Sequence, residues 1–95
     1  MKVNITFKNI DASEAVKDYV SDKLGRIRKL VNDPVEANVV LSTERFNHVC
    51  DVSISSHGTF CQGSESSENM YTSIDKVVDK IQRQLRDSKR KSDRV

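Results

Sequence analysis

Two histidines and two cysteines, His48, Cys50, His57 and Cys61, stand close together in the chain, and a set of that kind could supply the four ligands of a tetrahedral zinc site. Their spacing argues against it. His57-Gly58 reads as the turn of a β-hairpin. A two-residue turn sets Cys61 opposite Ile54, and a loop one residue longer sets it opposite Ser55. Either register leaves Cys61 on the order of 13 to 16 Å from Cys50, at ~3.3 Å per strand residue. A disulfide needs Cα atoms within ~7 Å, so neither a shared metal nor a bridge is expected. Cys50 reads as a small core residue, and Cys61 has no identifiable base beside it to make it a nucleophile.

Other catalytic patterns are missing from the sequence. Three glycines in 95 residues form no phosphate-binding loop, and neither a Ser-His-Asp pattern nor His-Glu-x-x-His occurs. Carboxylates are scattered. Asp75, Asp79 and Asp87 lie among basic residues and read as helical ion-pair partners, Asp75 with Lys76 and Asp79 with Arg83. The expectation is a non-enzymatic protein with no cofactor and no small-molecule substrate.

Charge is the more informative chemistry. From Lys80 to Val95 there are seven basic residues against Asp87 and Asp93, a balance of +5. The preceding residues carry nine basic and twelve acidic side chains, a balance of −3, and the whole chain is +2. Such polarity points to an acidic partner met by one region, nucleic acid ahead of membrane. The same stretch has a second period: Met70, Ile74, Val77, Val78, Ile81 and Leu85 form one stripe of an α-helix. Lys76, Lys80, Arg83 and Arg90 gather opposite it, with Arg86 at their margin. One helix therefore carries core on one side and positive charge on the other.

The elements that position this helix follow from the remaining patterns. Lys2 to Lys8 alternates as a half-buried strand, with Val3, Ile5 and Phe7 on one face. Asp11 or Ser13 can cap a helix, Asp11 and Glu14 making a capping box. That helix is expected to run to about Val31 and to stop at Asn32-Asp33-Pro34. Val35–Thr43, His48–Ser56 and Thr59–Glu65 read as three further strands. Ser66 or Ser67 is the expected N-cap of the last helix. Phe7, Tyr19 and Phe60 are expected in the core, with Phe46 and Tyr71 the remaining aromatics.

The fold class is therefore α+β, in the order βαβββα. A four-stranded mixed sheet carries two amphipathic helices packed on one face, and its other face stays wet. Residues 1–88 make the single domain, and residues 89–95 a basic, flexible tail. Arg26 and Lys29 flank the first helix, whereas Lys23 falls inside its apolar sector by helical angle. Its ammonium must snorkel to an edge, the seam between the helices. It either covers the core or joins Arg26, Lys80 and Arg83 in one positive surface suited to phosphates. Without a spanning segment or signal peptide, a cytoplasmic location is expected.

Several segments resemble a known family, the ribosome hibernation and inactivation factors, also called sigma-54 modulation proteins. They are Asn4-Ile5-Thr6, Glu14-Ala15-Val16 through Lys23-Leu24, Val39-Val40-Leu41, Asn69-Met70-Tyr71-Thr72-Ser73-Ile74-Asp75, Asp79-Lys80-Ile81 and Arg83-Gln84-Leu85. Asn69 stands where the family usually has an aspartate. The resemblance implies a layout like that of double-stranded RNA-binding domains. It implies binding to the rRNA of the small ribosomal subunit in the mRNA and tRNA channel, and silencing of translation under stress or in stationary phase. The basic contacts it implies are Lys23, Arg26, Lys29, Lys76, Lys80, Arg83 and Arg86, with Lys89, Arg90 and Lys91 adding charge. The chain is most similar to the short form, which favours ribosome dimerisation with a companion ribosome modulation factor and is expected to be monomeric off the ribosome. Two other readings remain: a generic double-stranded RNA-binding module, against which Glu65 and Glu68 stand where such domains concentrate lysines, and a protein-binding regulator of a sigma factor.

Overall fold

The computed structural model describes residues 1–31 and 35–93, and the side chains as far as Asp87. Its elements are β1 (Lys2–Lys8), α1 (Glu14–Arg28), β2 (Val35–Glu44), β3 (Asn47–Ser56), β4 (Thr59–Ser67) and α2 (Met70–Asp93). The expected βαβββα order is the observed one. The sheet order is β1-β2-β3-β4, with β1 parallel to β2 and the later pairs antiparallel. Asn32-Asp33-Pro34, the expected stop of the first helix, lies outside the described residues.

Alternation sorts the strands into two faces. Ala37, Val39 and Leu41 of β2 meet Ile54, Val52 and Cys50 of β3, and all six are buried. Val20, Leu24 and Ile27 of α1 and the α2 stripe of Met70, Ile74, Val77, Val78, Ile81 and Leu85 complete one core. Asn4, Asn38, Ser53 and Gln62 belong to the opposite set of alternating positions, in register across the sheet. On β4, Gly63 faces α2. A Cβ built there would lie 3.4 Å from Ile81 Cδ1 and 3.5 Å from Val77 Cγ2, in ordinary van der Waals contact, so the helix leaves room at this position for a methyl group and nothing larger.

The boundaries depart from the sequence reading at several points: β2 runs on to Glu44 and β3 begins at Asn47 because these two residues pair, and four further differences have local causes. α1 ends at Arg28, short of Val31, because its last turn tightens: the N–H of Leu30 donates to Ile27 O at 2.9 Å and that of Val31 to Arg28 O at 3.5 Å. Ser13 is the N-cap, accepting from the Val16 N–H at 3.3 Å, while Glu14 turns to Lys17 at 3.6 Å in place of a capping box with Asp11. β4 extends to Ser67 because Ser67 pairs with His48. The cap of α2 is Asn69, not Ser66 or Ser67: its Oδ1 accepts from the Tyr71 N–H at 2.8 Å. Ser67 supports it, its hydroxyl accepting from the Asn69 N–H at 3.2 Å.

Phe60, expected in the core, is outside it. Cys61 points into the core, so its neighbour must point out, and Phe60 is 63% exposed on the open face. Ile74→Ala should lower unfolding free energy by about 2–5 kcal/mol. Phe60→Ala should lower it by less than about 1 kcal/mol; urea denaturation followed by circular dichroism measures both.

Candidate nucleic-acid interface

The basic residues are carried by two helices that run in the same direction over the sheet. Tyr19 of α1 meets Tyr71 of α2 edge to face, with ring centroids 4.8 Å apart. One turn further along both helices, Lys23 meets Asp75. The parallel course follows from the topology, since each helix must return its apolar stripe along the same sheet face.

Asp75 organises this seam. The Tyr19 hydroxyl donates to its Oδ1 at 2.7 Å, and Lys23 Nζ lies 3.3 Å from the same oxygen. The ammonium also lies 5.2 Å from the Tyr19 ring centroid, within cation–π range. Hydrogen bonding to the carboxylate favours the protonated phenol and raises the Tyr19 pKa; desolvation and the charge of Asp75 act in the same sense, and Lys23 opposes them. Lys23 snorkels to the seam as its helical angle requires, but its side chain is only 17% exposed and it already has a counter-ion. Asp75, expected to pair with Lys76 on its own helix, is engaged across the seam. Its position beside the apolar stripe on the α1 side is the sequence signal that separates the two outcomes.

The remaining basic residues are outward. Arg26 is exposed on α1 and Lys29 at its C-cap, and Lys76, Lys80, Arg83 and Arg86 are exposed on α2. Lys76, Asp79, Lys80 and Arg83 line an open hollow of about 430 Å³ with Glu65 of β4, and Lys80 Nζ lies 3.5 Å from Glu65 Oε2. The two ion pairs thus lie on opposite flanks of α2, Lys23 reaching across from α1 to Asp75 and Lys80 leaning toward Glu65 of β4. Between them, Arg83 and the α1 pair Arg26 and Lys29 present charge to solvent. The side chains of Lys89, Arg90 and Lys91 lie outside the described residues. This surface is open, suited to phosphates at a distance set by side-chain length and unsuited to enclosing a small substrate.

The four residues that could be metal ligands by type are not assembled. Cys61 is opposite Ile54 and Cys50 opposite Glu65, the register of the two-residue turn, and both thiols are free and buried. Burial, helped by the charge of Asp51, pushes the Cys50 pKa up to about 12; burial also raises that of Cys61. Among the described residues, no group of three or more His, Cys, Asp or Glu is placed to hold a metal ion, and no helix is long and apolar enough to cross a membrane.

The sequence pattern of the sigma 54 modulation protein / S30EA ribosomal protein family matches residues 3–93. The chain belongs to this family. It is 31% identical over 85 residues to the ribosome hibernation promoting factor of Salmonella typhimurium, covering 90% of each chain. It is 33% identical to the ribosome hibernation promotion factor of Lactococcus lactis, where 99% of this chain matches 52% of that protein. The N-terminal domain of Thermus thermophilus Protein Y superposes with a TM-score of 0.83 at 26% identity, covering 90% of this chain and 96% of that one. A ribosomal subunit interface protein from Coxiella burnetii has the same fold, with a TM-score of 0.83 at 20% identity. Family members are ribosome-associated factors, not enzymes.

Two measurements check this geometry. A double-mutant cycle with Tyr19→Phe and Asp75→Ala should show favourable coupling in unfolding free energy, the double variant losing less than the sum of the single ones. For Cys50, the unfolded thiol ionises near 9.0. Across the window from there to about 12 the folded chain holds a proton that the unfolded chain releases, so stability falls as pH rises. From pH 8 to pH 10 the wild type should therefore lose about 1 kcal/mol more than Cys50→Ala, read by urea denaturation at each pH.

Proposed function

We propose that this protein binds the rRNA of the small ribosomal subunit through the outward rows of α1 and α2, and silences translation by occupying the mRNA and tRNA channel. The observation that supports the reading most directly is the arrangement of Arg26, Lys29, Lys76, Lys80, Arg83 and Arg86. All six are exposed, five on two parallel helices mounted side by side on one sheet and Lys29 at the C-cap of the first. Residues 88–95 add Lys89, Arg90, Lys91 and Arg94 against Asp93. Each phosphate neutralised releases condensed counterions, which gives affinity without a sequence code. The molecule measures 45 × 22 × 17 Å along its principal axes. A body of that size acts by exclusion: the space it fills is closed to another strand.

Hibernation is the role for which the Salmonella and Lactococcus relatives are named. On this reading the protein acts in the cytoplasm, preserves idle ribosomes in stress or stationary phase, and promotes their dimerisation with a companion modulation factor. A generic duplex-RNA module is the weaker reading, because Glu68 puts negative charge just before the start of α2 and Glu65 stands further along it, already occupying Lys80.

The test is co-sedimentation with purified small subunits in a sucrose gradient. Lys80→Glu combined with Arg83→Glu should abolish binding while leaving the circular dichroism spectrum unchanged. Wild-type affinity should fall steeply with salt. Retained binding by the double variant removes this surface from consideration.

A further inference from the structure

The hairpin joining β2 to β3 departs from ordinary turn chemistry at its first loop position and exposes a bare ring at its second. Glu44 pairs with Asn47, which leaves Arg45 and Phe46 as a two-residue loop. Such loops call for positive φ, a demand usually met by Gly or Asn. Here Arg45 takes the left-handed conformation, at φ 57°, and Phe46 is 91% exposed. The other tight hairpin meets the same demand with His57 at φ 34° followed by Gly58 at φ 78°. Neither the Arg nor the Phe is needed to make the turn, and the ring contributes nothing to the core. A strained backbone that presents a bare aromatic ring is a reason to look for a ligand.

The tip is rigidly mounted on the helix that carries the basic row. Thr43 pairs with His48 one register step below the loop, and the His48 carbonyl accepts from the buried Ser73 hydroxyl of α2 at 2.7 Å. Tyr71, exposed in the first turn of α2, lies two residues from that anchor. Phe46 and Tyr71 therefore stand at one end of the domain, and the row beginning at Lys76 runs away from them along α2.

We infer that the Arg45–Phe46 tip is a second RNA contact, in which the Phe46 ring stacks on an unpaired base and the Arg45 guanidinium meets an adjacent phosphate. This rests on the rRNA-binding reading above. The surroundings of the ring favour a base over a protein partner. Its chain neighbours Glu44, Arg45 and Asn47 are all exposed and polar, so no second apolar side chain flanks the ring within the loop. A protein hot spot is ringed by further apolar contacts, whereas one ring suffices for one base. Glu44 turns phosphate away from the β2 side and leaves approach from the Arg45 side.

The chain has no tryptophan, so Phe46→Trp supplies a single fluorescent reporter. On titration with purified small ribosomal subunits, its emission should be quenched with little change in wavelength. Phe46→Ala and Phe46→Leu should both weaken binding by roughly tenfold or more, and Phe46→Tyr should bind as wild type. Wild-type affinity in Phe46→Ala or Phe46→Leu overturns the inference. So does a brightened, blue-shifted emission from the Phe46→Trp variant, which would report an apolar protein pocket. The Lys80→Glu/Arg83→Glu variant, run alongside, separates the two failures. If it loses binding while Phe46→Ala does not, the tip alone is wrong. If it binds normally, the helical surface is wrong and this contact falls with it.

Discussion

The apolar stripe of α2, from Met70 to Leu85, packs on the inner face of β3 and β4, and the rest of the molecule is arranged to make that contact possible. α1 covers the sheet with only three fully buried side chains, Val20, Leu24 and Ile27, whereas α2 contributes Met70, Ile74, Val77, Val78, Ile81 and Leu85. Removing that many apolar groups from water is the dominant favourable term in so small a domain. Gly63 lets the helix come close, and the buried Ser73 hydroxyl, bound to the His48 carbonyl, sets where along the strands it sits. Because the apolar contact fixes the rotation of α2, it also decides which of its charges face out.

Acidic residues then decide which cations remain available. Asp75 holds Lys23 and Tyr19 together across the seam, and Glu65 reaches Lys80 from β4. The two pairs differ in kind. Lys23 is largely withdrawn from solvent, so its pair mainly sets one helix against the other. Lys80 is half-exposed, where an ion pair is weak and readily exchanged for another anion. A binding surface built this way keeps its basic rows at a set separation without burying charge that a phosphate would have to recover.

Much of this is legible without coordinates. The strict alternation of β1 to β4 and the 3.6-residue stripe of α2 identify the elements, and their order leaves one simple architecture. Even the hairpin register is narrowed to two, Cys61 opposite Ile54 or Ser55, and the structure takes the first, that of a two-residue turn at His57-Gly58. Phe60 shows where size misleads: a large ring suggests core, but beside an inward Cys61 alternation alone sends it outward. The caps are less legible, because Ser66, Ser67 and Asn69 all have suitable side chains and only the length of β4 selects Asn69.

What the sequence determines by itself are the periodicities and the signs of charge, since these depend on neighbours within a few residues. It determines that a basic helix face exists and that Lys23 lies too near the apolar stripe to stand free. Only the tertiary structure decides that Asp75 pairs with Lys23 and Tyr19, which lie far back in the chain on α1. Lys76 is closer in sequence, but packing brings α1 against one flank of α2 and turns Lys76 toward the other. The same packing places Phe46 and Tyr71 at one end of the domain, a proximity no local pattern encodes.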